Sequence, residues 1–99
     1  MTDPAGSILR DTLTITNRRG LHARASAKFV NTVAMLPDGV DVKVVKDGTE
    51  AAGASILGLM MLGAAQGDKV ELVVSGEGQA ADAAFAKLSG LIKDGFGED

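Results

Sequence analysis

The 99-residue chain has no cysteine, no tryptophan and no tyrosine, and its aromatic residues are three phenylalanines. Without cysteine there can be no disulfide framework, no thiolate metal site and no thiol chemistry. A chain without cysteine also fits a reducing compartment. Without tyrosine or tryptophan there is little for single-stranded bases to stack on. Positive charge is not in excess either. Ten lysines and arginines face 13 acids, a formal net charge of −3, which argues against a nucleic-acid partner, because displacing phosphate counterions needs a basic surface. The longest apolar stretch, Ala54–Ala65, is broken by Ser55, Gly58 and Gly63. It is shorter than the roughly 20 residues a bilayer-spanning helix needs, so no membrane insertion is expected. The leading segment Met1–Ser7 has no apolar core, and no secretory signal is expected. One histidine and dispersed carboxylates offer no metal site, and nothing calls for a cofactor. What is left is an acidic, soluble domain expected in the cytoplasm.

What is present is periodicity. Leu9–Thr16 alternates around Leu13 and Ile15 and reads as a strand, followed by a turn at Asn17–Gly20. Over Ala23–Leu36 the residues Ala23, Ala27, Val30 and Ala34, joined by Phe29 and Val33, recur at helical spacing, and Pro37-Asp38-Gly39 ends the helix. Val40–Lys46 alternates again and is joined through Asp47-Gly48, a strong hairpin signal, to a short partner strand at Thr49–Ala52. Ser55 stands at an N-cap position before the helix Ile56–Leu62, with Gly63 at its end. Val70–Ser75 is the last strand. A final helix, Gln79–Lys93, carries the stripe Ala81, Ala84, Phe85, Leu88, Leu91 and Ile92. Residues 1–7 and 95–99 read as frayed tails. The order β-α-β-β-α-β-α, with one apolar face per strand, predicts one α+β domain over residues 1–99. Its architecture is a two-layer open-faced β-sandwich, a four-stranded antiparallel sheet covered on one face by three helices.

Chemistry concentrates at one place, Asn17-Arg18-Arg19-Gly20-Leu21-His22-Ala23-Arg24-Ala25, where a loop becomes a helix. A side chain there faces backbone N–H groups without partners and the positive end of the helix dipole. That field favours a neutral, nucleophilic imidazole at His22 and an anion resting on it. The backbone N–H groups of Ala23 and Arg24 are the expected phosphate donors, and the Arg24 side chain can add a charge-assisted hydrogen bond. The plainer reading is a surface histidine that caps a helix. A hydrolase using His22 with Ser26 is the competing chemistry. No third group that would orient the imidazole is visible, and Ser26 reads as a solvated or capping hydroxyl.

The stretch Gly20-Leu21-His22-Ala23-Arg24-Ala25-Ser26-Ala27-Lys28-Phe29-Val30 resembles the active-site signature of HPr, the histidine-containing phosphocarrier of the bacterial phosphoenolpyruvate-dependent phosphotransferase system. Ser55-Ile56-Leu57-Gly58-Leu59-Met60-Met61-Leu62-Gly63, followed by Gln66-Gly67-Asp68, is similar to the family's regulatory-serine helix and the loop after it. The resemblance runs from about Leu9 to Lys93. It implies that His22 accepts a phosphoryl group on Nδ1 from Enzyme I and passes it to a histidine of an EIIA domain, with Arg24 stabilising the phosphate. The protein would be a monomeric, stoichiometric relay rather than an independent catalyst. The resemblance also implies a regulatory phosphorylation point at Ser55, for which an HPr serine kinase/phosphorylase would be the further partner. The docking face it implies consists of Ala23, Ala27, Ile56, Leu57 and Met60. Independently of the family, the helix Ile56–Leu62 carries more apolar groups than one face can bury, and Met suits a surface that accepts several partners. The family usually has Pro where Ala25 stands. That departure leaves open a sugar-transport or a nitrogen-type regulatory role. Ser55 reads equally well as a plain N-cap. The alternative function is a regulatory binding module that acts through the second-helix surface, with phosphorylation as a switch.

Overall fold

The protein structure, a computed structural model, describes residues 7–98. In chain order the elements are β1 (Ser7–Thr14), α1 (Ala23–Ala34), β2 (Asp41–Lys46), β3 (Thr49–Ala52), α2 (Ile56–Met61), β4 (Lys69–Gly76) and α3 (Gly78–Lys93), followed by a 3₁₀ turn at Gly95–Gly97. The strands form one antiparallel sheet in the order β1-β4-β2-β3. Its register places Leu13 opposite Val70, and both Leu9 and Val42 opposite Val74. Inward-facing Leu13, Val42, Val44, Val70, Leu72 and Val74 are buried beneath Ala81, Ala84, Leu88 and Ile92 of α3, with Phe29 and Leu59 completing the core. α3 packs on β1 and β4, α1 on α3 and α2, and α2 on β3. The opposite sheet face carries Thr12, Thr14, Lys43 and Glu50 and is open to solvent. This is the open-faced two-layer arrangement expected from the alternation of the strands.

Several boundaries differ from the sequence reading. β1 begins at Ser7, which pairs with Gly76 and is no part of a frayed tail. Residues 1–6 of that expected tail lie outside the described residues. β1 also ends at Thr14, two residues early, yet Ile15 still donates to the Asp68 carbonyl and accepts from the Gly67 amide, both at 2.8 Å. α1 stops at Ala34, where the amides of Met35 and Leu36 turn to carbonyls three residues back. That tightening of the last turn precedes Pro37, which disfavours helical backbone before it. The Asp47-Gly48 turn is as predicted, with φ of 51° and 81°, the paired positive values of a type I′ hairpin.

Two corrections bear on the site. The buried face of α1 is Ala25, Ser26 and Phe29, with Val33 and Leu36 packed beside it, whereas Ala23 and Ala34 are exposed. Of the expected apolar set, Phe29, Val30 and Val33 meet the core, Ala27 is half-buried, and Ala23 and Ala34 fall outside it. Alanine carries too little apolar area to fix a face against the much larger Phe29. The segment Gly95–Glu98 also does not fray. Gly95 and Phe96 are buried, Phe96 at 1% exposure, and the turn packs against α1 and α3. Asp99 lies outside the described residues.

Candidate functional site

The site begins with the turn after β1. The Asn17 side chain is buried and donates to the Gly20 carbonyl at 2.8 Å, while the Gly20 amide returns to the Asn17 carbonyl at 3.2 Å. Gly20 adopts φ +65°, and a Cβ there would run into the Ala64 carbonyl and Ala65 Cα of the loop after α2. Glycine alone meets both demands. Leu21, buried, then donates to the Ala64 carbonyl at 2.9 Å. The loop is thus pinned from two sides, and His22 falls at the N-cap of α1.

The extended backbone of His22 (φ −77°, ψ −178°) is an N-cap conformation. Its Nδ1 accepts from the Arg24 amide at 3.2 Å. Its Nε2 lies 3.0 Å from both carboxylate oxygens of Glu98. An ionised carboxylate can only accept, and an amide N–H can only donate. The two contacts together assign the proton of the neutral ring to Nε2 and leave the lone pair on Nδ1, at the helix N-terminus. Asn17 Nδ2 donates to the same Glu98 Oε1 at 3.1 Å. The hydrogen bond from His22 holds the Glu98 carboxyl below its ordinary range. Partial burial opposes that shift, and the Asn17 hydrogen bond and the charge of Lys28 reinforce it.

Arg18, Arg19, Arg24 and Lys28 line an open depression together with Gly97 and with Glu98, the carboxylate bonded to His22. Arg18, Arg19 and Arg24 have no ion-pair partner among the described residues. A chain of net negative charge thus gathers four cations in one depression next to the partner of its one histidine, an arrangement suited to an anionic group. Ser26 is fully buried, and its hydroxyl donates to the Leu21 carbonyl at 3.3 Å. It is neither solvated nor bonded to either ring nitrogen, so the structure does not assemble a His22–Ser26 pair.

Ser55 caps α2. Its Oγ accepts from the Gly58 amide at 2.9 Å. Of the apolar residues in and beside that helix, Leu59 and Leu62 enter the core, while Ile56, Leu57, Met60 and Met61 are 40%, 68%, 40% and 76% exposed. Ala23 is exposed and Ala27 half-buried on the adjoining α1. No group of three metal-ligating side chains occurs among the described residues, and no described helix is long and apolar enough to cross a membrane. Sequence reasoning missed Glu98 and Asn17. The available signal was Phe96, an apolar anchor between two glycines that can deliver a carboxylate from 76 residues away.

The chain is similar to proteins already known. The family model PTS-HPr, described as the PTS HPr component phosphorylation site, matches residues 9–94. The phosphocarrier protein HPr of Neisseria meningitidis is 42% identical over 91 residues, covering 92% of this chain and 98% of that protein. The phosphocarrier protein NPr of Escherichia coli K12 is 35% identical over 94 residues, covering 92% and 98%. Among solved structures, HPr-C-His from Thermoanaerobacter tengcongensis superposes with a TM-score of 0.81 at 37% identity, covering 92% of this chain and 98% of that one.

Proposed function

The chain belongs to the HPr family of phosphotransferase-system phosphocarriers, and we propose that it carries its phosphoryl group on Nδ1 of His22, between phosphorylated Enzyme I and an EIIA protein. The observation that carries the assignment is the lone pair on Nδ1, set at the N-terminus of α1 by the Arg24 amide and Glu98 contacts. In the transfer, the Nδ1 lone pair forms the new N–P bond as the donor's N–P bond breaks, and that electron pair returns to the donor nitrogen. The Arg24 amide, released from Nδ1, is then free to donate to a phosphate oxygen, with the Ala23 amide beside it. The Arg24 guanidinium supplies a charge-assisted hydrogen bond. Ala23, Ala27, Ile56, Leu57 and Met60 form the docking surface, with Met61 at its edge. The exposure of all of them but half-buried Ala27 supports that role, and a cytoplasmic, monomeric carrier fits it.

Ser55 is the regulatory phosphorylation point of this reading, and a serine kinase/phosphorylase would be the partner. Its Oγ already sits at the start of α2 beside exposed Ile56 and Leu57. The same exposed helix would serve a purely regulatory binding module, which predicts partner binding that survives loss of His22. The deciding test is incubation with phosphoenolpyruvate and Enzyme I. The parent chain should take up acid-labile, base-stable phosphate and pass it to an EIIA domain. His22→Ala should take up none while keeping its fold, since loss of a helix cap costs about 1 kcal/mol. Undiminished acid-labile labelling of His22→Ala would overturn the assignment.

A further inference from the structure

Resting on the phosphocarrier reading, we propose that Glu98 is a positioning residue for His22, holding the Nε2 proton so that Nδ1 is the nucleophile and balancing the charge the ring acquires on transfer. Three independent features converge on this carboxylate. Both its oxygens lie 3.0 Å from Nε2. A buried amide, Asn17 Nδ2, fixes Oε1 at 3.1 Å while also closing the turn that presents His22. The backbone that delivers Glu98 is locked in a conformation that a bulky side chain rarely adopts. Phe96 has φ 60° and ψ 26°, yet it is buried in the core, and its carbonyl accepts from Lys28 Nζ at 2.7 Å. The Glu98 amide closes the turn onto the Gly95 carbonyl at 3.0 Å. Left-handed backbone at a non-glycine residue persists where the surroundings over-determine it, and such residues gather at functional sites.

The chemistry explains what the carboxylate would do. When the Nδ1 lone pair bonds to phosphorus, Nε2 keeps its proton and the ring becomes a phosphorylated imidazolium. Positive charge then appears at Nε2, 3.0 Å from the Glu98 oxygens. When the group leaves, the N–P electron pair returns to Nδ1 and the ring is neutral again. Fixed charge aimed at a site where charge develops lowers the barrier in both directions. A carboxylate on the far nitrogen of a reacting imidazole acts in this way in the Ser-His-Asp triad. Its repulsion of the incoming dianion is offset by Arg18, Arg19, Arg24 and Lys28, which line the same depression.

The test is ring ¹⁵N NMR of the unphosphorylated chain together with transfer kinetics from phosphorylated Enzyme I, for the parent, Glu98→Ala and Glu98→Gln. The parent should show the Nε2–H tautomer. Glu98→Ala should show a mixture of tautomers, with a kcat for phosphoryl uptake reduced about tenfold or more and an unchanged KM. Glu98→Gln keeps an acceptor without the charge, so it should retain the tautomer and lose part of the rate. An unchanged tautomer and rate in Glu98→Ala would overturn the proposal. So would faster uptake, which would mark Glu98 as an occupant of the phosphate's place. The tautomer measurement needs no Enzyme I. A parent chain that took no phosphate would therefore overturn the phosphocarrier reading, while the hold of Glu98 on the ring would still be measured on its own.

Discussion

His22 caps a helix through Nδ1, and in the proposed relay the same atom is the nucleophile. Nδ1 accepts the Arg24 amide, and on that proposal the incoming phosphoryl group takes the amide's place. The cap and the reaction therefore alternate, and the amide that stabilises one state is available to the other. Arg24 is exposed, with no ion-pair partner among the described residues, so its charge is available to an anion. Arg24→Glu should slow transfer into and out of the chain by about tenfold or more, because it sets a negative charge beside a dianion. Melting should move by less than about 0.5 kcal/mol equivalent, as is usual for exposed positions. Stopped transfer measurements in both directions, paired with thermal melts, check this, and parent-like rates would remove Arg24 from the site. His22 and Arg24 were legible in the sequence because their chemistry is local: a lone histidine, a preceding glycine and an arginine two residues on. Glu98 was not, because its contact depends on a turn and a core anchor that only the folded chain brings to the first helix.

At the scale of elements, caps and turns were legible and helix faces less so. Asp47-Gly48, Ser55 and Gly63 announce their roles through side-chain and backbone chemistry that neighbours do not alter. On α1, Phe29, Val30 and Val33 meet the core as the spacing predicts, but Ala23 and Ala34 do not, because alanine looks apolar in a pattern yet buries little area. Phe29, with small Ala25 and Ser26 one turn before it, sets which side meets the core. α2 is decided by competition for space. Leu59 and Leu62 take the interior, which leaves Ile56, Leu57, Met60 and Met61 outside. At Ser55, at the head of this helix, substitution separates the observed cap from the proposed regulatory role. Ser55→Ala removes the acceptor of the Gly58 amide and should cost roughly 1 kcal/mol of stability. Ser55→Asp keeps a capping oxygen and should melt like the parent. It should nevertheless raise the carrier concentration Enzyme I needs for half-maximal transfer, with a penalty that shrinks as salt is added. Parent-like kinetics for Ser55→Asp would leave the residue as a cap alone.

At the scale of the whole molecule, the fold presents the His22 ring and an apolar surface together on packed helices. The sheet supports α3, α3 supports α1, and α1 packs on α2. His22 at the head of α1 and the exposed Ile56, Leu57 and Met60 of α2 are therefore carried on one rigid layer. A carrier that meets a donor and an acceptor in turn needs one surface that both can read, and exposed methionine adapts to more than one partner. Leu57→Glu, at a position 68% exposed, should leave melting unchanged and weaken docking about tenfold, which corresponds to about 1.4 kcal/mol. It should not alter the maximal rate once docked. Titration of the carrier against Enzyme I and against an EIIA domain checks both halves, and unchanged half-saturation with both partners would move the docking surface elsewhere. The central claim, however, concerns a single atom. Its most direct test is phosphorus–nitrogen correlation NMR on ring-labelled chain phosphorylated by Enzyme I. The account predicts one phosphate per chain, bonded to Nδ1 of His22, with the proton retained on Nε2. A phosphate found on Nε2, or on any residue other than His22, would contradict it.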